Sequence, residues 1–138
     1  MSRILVAISS PWAAARVADP VTDLARKLGA EVLIVHVSRP SGGHTHDQEQ
    51  AEGESAIDAL RQQLQDKSIA VQTLLLFSDD IAQAIISTAE EREVSLIALG
   101  LSGKNVFARL LAGNVPVELI KNTRIPVLLL PPDWNRTL

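Results

Sequence analysis

"ILVAI", Ile4 to Ile8, is a run of five aliphatic residues ended by Ser9, Ser10 and Pro11. A strand with one wet face would alternate apolar and polar residues, so a short unbroken run reads as a strand buried on both faces. Four further stretches repeat the pattern: "EVLIVHV" (Glu31 to Val37), "AVQTLLLF" (Ala70 to Phe77), "SLIALG" (Ser95 to Gly100) and "IPVLLL" (Ile125 to Leu130). Helical spacings lie between them. Val21, Leu24 and Leu28 mark a first helix, with Asp19 as N-cap, Pro20 at its first position and Gly29 at its end. Ala56, Ile57, Leu60 and Leu64 mark a second, starting between Asp47 and Ser55. Asp80 with Gln83 opens a third, whose stripe is Ile81, Ala84, Ile85, Thr88 and Ala89, and Asn114 to Asn122 reads as a short fourth.

Strands that alternate with helices must run parallel and need right-handed crossovers. The expected fold is therefore α/β, an open, doubly wound, five-stranded parallel sheet with helices on both faces, taken in the common strand order 3-2-1-4-5. The 138 residues fit one domain, 1–138, large enough to bury a core without crosslinks. Within it "RPSGGHTHDQEQAEGES", 39–55, is polar and aperiodic and reads as a flexible surface loop.

Composition excludes several functions. Net charge is −3 and Lys and Arg form no stripe, so the chain lacks the electrostatic footprint of a nucleic-acid binder. Absence of cysteine removes disulfides, thiolate catalysis and Cys-ligated zinc. No apolar run approaches the roughly 20 residues of a membrane span, and the first one is shorter than the ~7–15 residues of a signal peptide's apolar core. The expectation is a cytoplasmic protein with no membrane insertion.

In a doubly wound sheet, ligands bind beyond the carboxyl ends of the strands where strand order reverses. With order 3-2-1-4-5, the loops after strands one and four face each other there. The second of these is "LGLSGKNVFARLLAGN", Leu99 to Asn114, whose glycines recur at intervals that neither helix nor strand explains. Gly100 stands where a side chain would block approach, Gly103 permits a turn, and Gly113 precedes a helix whose first N–H groups are free. The N–H groups of Gly113, Asn114 and Val115 suit a phosphate, and Lys104 adds a charge. The spacing matches neither a Walker loop nor the dinucleotide fingerprint.

Gly100-x2-Gly103-x9-Gly113-Asn114 resembles the nucleotide-binding signature of the universal stress protein family, Gly-x2-Gly-x9-Gly-Ser/Thr. "KLGAEVLIVHV", "ISTAEEREVSLIALG" and "IPVLLLP" also sit where that family has equivalent segments. The resemblance implies an adenine nucleotide alpha hydrolase-like sheet, a homodimer through the C-terminal strand, and ATP or AMP at the switch point. It places adenine against Val37, Ala7 and Ser9, ribose near Leu99 and Gly100, and phosphates on Gly103, Gly113, Asn114 and Val115. The leading expectation is a regulator in the stress response, in which nucleotide orders the 101–112 loop and alters the surface shown to an unknown protein partner; the signature loop offers no general base, so a non-enzymatic role is expected over a slow ATPase.

Two positions depart from the signature. Asn114 replaces Ser or Thr, a mild change because asparagine caps a helix about as well. Ser9 stands where nucleotide-binding members usually carry aspartate, and a neutral hydroxyl in place of a carboxylate costs about 1–2 kcal/mol of affinity. A nucleotide-free protein–protein interaction module is the alternative. Other residues read more plainly. His44, His46 and Asp47 lack preorganised further ligands and read as a solvated loop, with no metal expected. His36 reads as a satisfied strand histidine beside the pocket, and Trp12 as a pocket cover or local packing. "ISSPW" lacks the glycines of a nucleophile elbow, so no catalytic residue is assigned.

Overall fold

The structure, a computed structural model, describes residues 2–9, 11–38, 46–100, 115–131, 134 and 138. Along the chain run β1 (Arg3–Ala7), α1 (Pro11–Leu28), β2 (Glu31–Ser38), α2 (His46–Asp66), β3 (Val71–Phe77), α3 (Ile81–Glu91), β4 (Leu96–Gly100), α4 (Val115–Asn122) and β5 (Val127–Leu130). The strands form one five-stranded sheet in the expected common order, β3-β2-β1-β4-β5, and every pair is parallel, as the alternation of runs and spacings requires.

The unbroken apolar runs are explained by two cores, one on each face. Ile4 and Val6 of β1 point to a cluster with Val17, Val21, Leu60 and Leu64 of α1 and α2. Leu5, between them, points to the other face, where Leu33, Ile85, Ile97 and Leu119 gather beneath α3 and α4. Successive side chains of a strand alternate faces, so a strand covered on both sides must be apolar at every position.

Helices α1, α2 and α3 share one ending. Gly29, Ser68 and Glu93 adopt positive φ, of +59°, +64° and +56°. The next residue in each case returns its N–H to the carbonyl five residues earlier: Ala30 to Ala25 at 2.9 Å, Ile69 to Leu64 at 3.0 Å, Val94 to Ala89 at 2.9 Å. Ala30, Ile69 and Val94 are all buried. Each helix therefore stops with its last carbonyls satisfied and an apolar residue anchored, and the chain turns directly into a strand.

Two expectations are corrected. Helix α1 begins at Pro11, not after Asp19, and carries Pro20 in its interior. An interior proline costs about 3 kcal/mol through its missing N–H and ring clash. The buried stripe Ala14, Val17, Ala18, Val21 and Ala25 runs through that position without interruption, so packing overrides the local signal. Helix α2 starts at His46, at the early limit of the expected range between Asp47 and Ser55, so 46–55 is its first half and not part of the loop read over 39–55. Among the described residues of this stretch Gly53 alone is buried, which is why no apolar period marked it. Residues 39–45 lie outside the described part of the chain.

The third helix starts as expected: Asp80 Oδ1 accepts from the backbone N–H of Gln83 at 3.0 Å. Its buried side is Ala82, Ile85, Ile86, Thr88 and Ala89, turned slightly from the expected stripe because Ile81 faces the cavity described next.

Candidate functional site

Beyond the carboxyl ends of β1, β2 and β4 lies a cavity of about 370 Å³, within the range of small-molecule sites. Its floor follows from register. Ala7 pairs with Val35 on one side and Leu99 on the other, so a methyl group sits between two larger side chains and leaves a slot. The chain then holds to the sheet for one more residue. Ile8 donates its N–H to Val35 O at 3.0 Å, and Ser9 follows, exposed at the rim. Ile81 and Ile85 of α3, Val115 and Pro116 of α4, and Glu52 of α2 complete the walls.

His36 is part of this wall but is fully occupied within the protein. Its Nδ1 lies 2.8 Å from Ile8 O and its Nε2 3.1 Å from Ser38 Oγ. A carbonyl can only accept, so Nδ1 carries a proton and donates, while Nε2 shares a hydrogen bond with the Ser38 hydroxyl. The ring thereby ties the end of β1 to β2. Helix α2 presses on it: a Cβ at Gly53 would stand 2.6 Å from His36 Cδ2 and 2.6 Å from Leu75 Cδ1.

Of the nine residues expected at the site, Ala7, Ser9, Val37, Leu99, Gly100 and Val115 line this one cavity. Gly103, Gly113 and Asn114 lie outside the described residues, as does Lys104. Gly100 lines the cavity and also has a reason that the sequence did not show. A Cβ there would stand 2.5 Å from Val17 Cγ1, so the missing side chain admits helix α1. The side chains of Trp12, His46 and Asp47 also lie outside those described. Among the described residues, no group of three or more His, Asp or Glu is placed to hold a metal ion, and no helix is long and apolar enough to cross a membrane.

Ile8, Val35, Ile81, Ile85, Pro116 and Glu52 line the cavity without having been named as site residues, and Gly53 supports the wall from behind His36. Val35 was legible, since it shares a strand face with Val37. Glu52 and Gly53 carried no signal, because the first half of their helix shows no apolar period.

Known proteins were compared with this chain. A universal stress protein of Methanocaldococcus jannaschii is 31% identical over 78 residues, 56% of this chain; the match spans 45% of that relative's length. The universal stress protein of Archaeoglobus fulgidus, solved in complex with dAMP, superposes with a TM-score of 0.73 at 23% identity, covering 94% of this chain and 97% of that one. Another universal stress protein, solved in complex with cAMP, gives a TM-score of 0.74 at 16% identity over 94% of this chain and 96% of that one. At such identities the structural likeness speaks for the fold. The sequence model of the Universal stress protein family matches residues 1–131, nearly the whole chain, and this protein belongs to that family.

Proposed function

We propose that this protein binds an adenine nucleotide, ATP or AMP, in the cavity beyond β1, β2 and β4, and acts as a non-enzymatic regulator of the stress response. The carrying observation is that Ala7, Ser9, Val37, Leu99, Gly100 and Val115, expected from the resemblance to meet one ligand, line one cavity. The slot over Ala7 is narrow and apolar, which suits a flat base. Two structural neighbours hold dAMP and cAMP, which supports an adenine nucleotide as the ligand class. His36 has both ring nitrogens engaged, so it is no ready general base, which fits binding without turnover. The protein works in the cytoplasm as a homodimer through β5, the last strand of the sheet, whose Val127, Leu128 and Leu129 are half-buried. An open apolar edge favours pairing with a second copy.

Isothermal titration of the purified full chain with ATP and AMP tests the reading. The expected result is a saturable heat together with a raised melting temperature, since ligand at ten times Kd adds about 1.4 kcal/mol of stability. No heat and no thermal shift at millimolar nucleotide would overturn it. Ser9, an exposed hydroxyl at the rim, favours the second reading in that event: a nucleotide-free module that docks another protein.

A further inference from the structure

Strand β2 outruns β1, and the place where they part lies at the cavity. Pairing of β1 with β2 ends at Ala7 and Val35, whereas β2 stays in register with β3 as far as Ser38. Successive residues of a parallel strand turn their N–H and C=O groups to opposite neighbours. In β2 the odd-numbered residues face β1: Glu31 donates its N–H to Ser2 O and Val35 O accepts from Ile8, both at 3.0 Å. The even-numbered ones face β3, with Val32 N–H donating to Ala70 O and Ser78 N–H to Ser38 O, both at 2.9 Å. Val37, which lines the cavity, therefore turns its N–H to the β1 side, beyond the point where β1 has stopped.

The next rung of the ladder would run from the Val37 N–H to Ile8 O, and among the described residues it is not formed. The Ile8 carbonyl accepts instead from His36 Nδ1, 2.8 Å away. Side chains alternate faces along a strand: Val37 joins the cluster beneath α3, so the His36 ring lies on the α2 face and draws that carbonyl out of the plane of the sheet. The ring is fixed there. Its Nε2 lies 3.1 Å from Oγ of Ser38, itself 1% exposed, and Gly53 of α2 has no Cβ to stand 2.6 Å from Cδ2.

Resting on the nucleotide reading above, we infer that His36 is a positioning residue: by diverting the Ile8 carbonyl, it keeps the Val37 backbone N–H facing the cavity as a donor to the bound base. Val37 is 9% exposed, and a backbone N–H in so sheltered a place costs free energy until an acceptor meets it. A purine edge carries in-plane ring nitrogens that accept, and its flat faces suit the apolar walls of Val35, Leu99 and Ile81. His36 has both nitrogens engaged within the protein and acts only through the chain it holds. Without it, the strand would close on itself.

The experiment follows amide hydrogen exchange by NMR on the full chain and titrates ATP into the wild type, His36→Phe, His36→Asn and Leu33→Ala, with melting curves to establish folding. In the empty wild type the Val37 amide should exchange at least ~10-fold faster than that of Val35, and saturating ATP should slow it. His36→Phe keeps a ring without a donor: the released carbonyl completes the rung, the Val37 amide becomes protected without ligand, and ATP affinity falls about 10-fold. His36→Asn retains a donor near the Nδ1 position and should keep affinity within about three-fold of the wild type. Leu33→Ala weakens the core away from the cavity and should leave ATP affinity unchanged, which separates positioning from stability. A Val37 amide as protected as Val35 in the empty wild type overturns the inference without recourse to any variant. So does Val37 exchange that bound ATP leaves unaltered, or wild-type affinity in folded His36→Phe; each leaves the nucleotide reading intact. Silence of the wild type toward ATP overturns the nucleotide reading and this inference together.

Discussion

The two ends of the sheet are built to opposite rules. At the amino end polar groups are tied to one another. Arg3 pairs with Glu31 and donates from Nη1 to Arg92 O at 2.6 Å, and Ser95 donates both its N–H and its hydroxyl to Arg3 O. Three helices arrive there through the same closed ending, each dropping an apolar residue into the core. At the carboxyl end the strands stop around a cavity, small residues replace large ones at Ala7 and Gly100, and Ser9 and Glu52 face water. Hydrogen bonds and packing that close the amino end leave nothing for a ligand to do; the carboxyl end keeps apolar surface and polar groups available. The lesson is a division of labour within one sheet: stability is concentrated where the chain returns, binding capacity where the loops diverge.

Substitutions can break this division, and they are ordered by their expected effect on stability. Leu33→Ala, in the buried middle of β2, should lower the unfolding free energy by about 3 kcal/mol in urea titration; a loss below ~1 kcal/mol would show that the core is loosely packed. Gly53→Ala belongs to both regions. Its new methyl would overlap a histidine held by two hydrogen bonds, so about 1–3 kcal/mol should be lost and α2 should lift, taking Glu52 with it. Unchanged stability would mean that His36 and Leu75 can yield. Arg3→Ala removes the amino-end tie and should cost about 1 kcal/mol, discounted for partial exposure, with nucleotide affinity unaltered.

The remaining two sharpen the contrast. Glu93→Gly relieves a left-handed backbone at the end of α3 and should raise stability by about 0.5–1 kcal/mol; a measured loss would show that the side chain itself contributes. Ala7→Leu grows into the cavity floor, so it should change stability by less than about 0.5 kcal/mol yet weaken nucleotide binding at least ~10-fold. If Ala7→Leu unfolds the protein, the carboxyl end is part of the stability core after all.

The legibility of the sequence followed the same division. Strand runs were readable because burial on both faces forces every position to be apolar, and the Asp80 cap and Gly29 ending were readable because each is a local hydrogen-bonding arrangement. Ser68 and Glu93 were not, since nothing in a serine or a glutamate announces a left-handed backbone. Helix α1 was misplaced by the local meaning of Asp19-Pro20, which long-range packing of Ala14, Val17 and Val21 outweighs. At the site, Ala7, Ser9, Val37, Leu99, Gly100 and Val115 were named from the signature and from strand positions, whereas the α2 contribution had no periodicity to betray it.

From the order of residues alone came the parallel sheet, because periodicity acts through the chain's own connectivity; the glycine signature and its flanking segments carried the family, and the common strand order located the place where two loops meet. Tertiary structure alone decided which absent side chains matter and for whom. Gly100 yields to Val17 and Gly53 to His36, contacts between residues far apart in the chain that no local pattern encodes. It also brought a carboxylate from α2 to the rim of the cavity, for the same reason: proximity there is set by how helices settle on the sheet, not by spacing along the sequence.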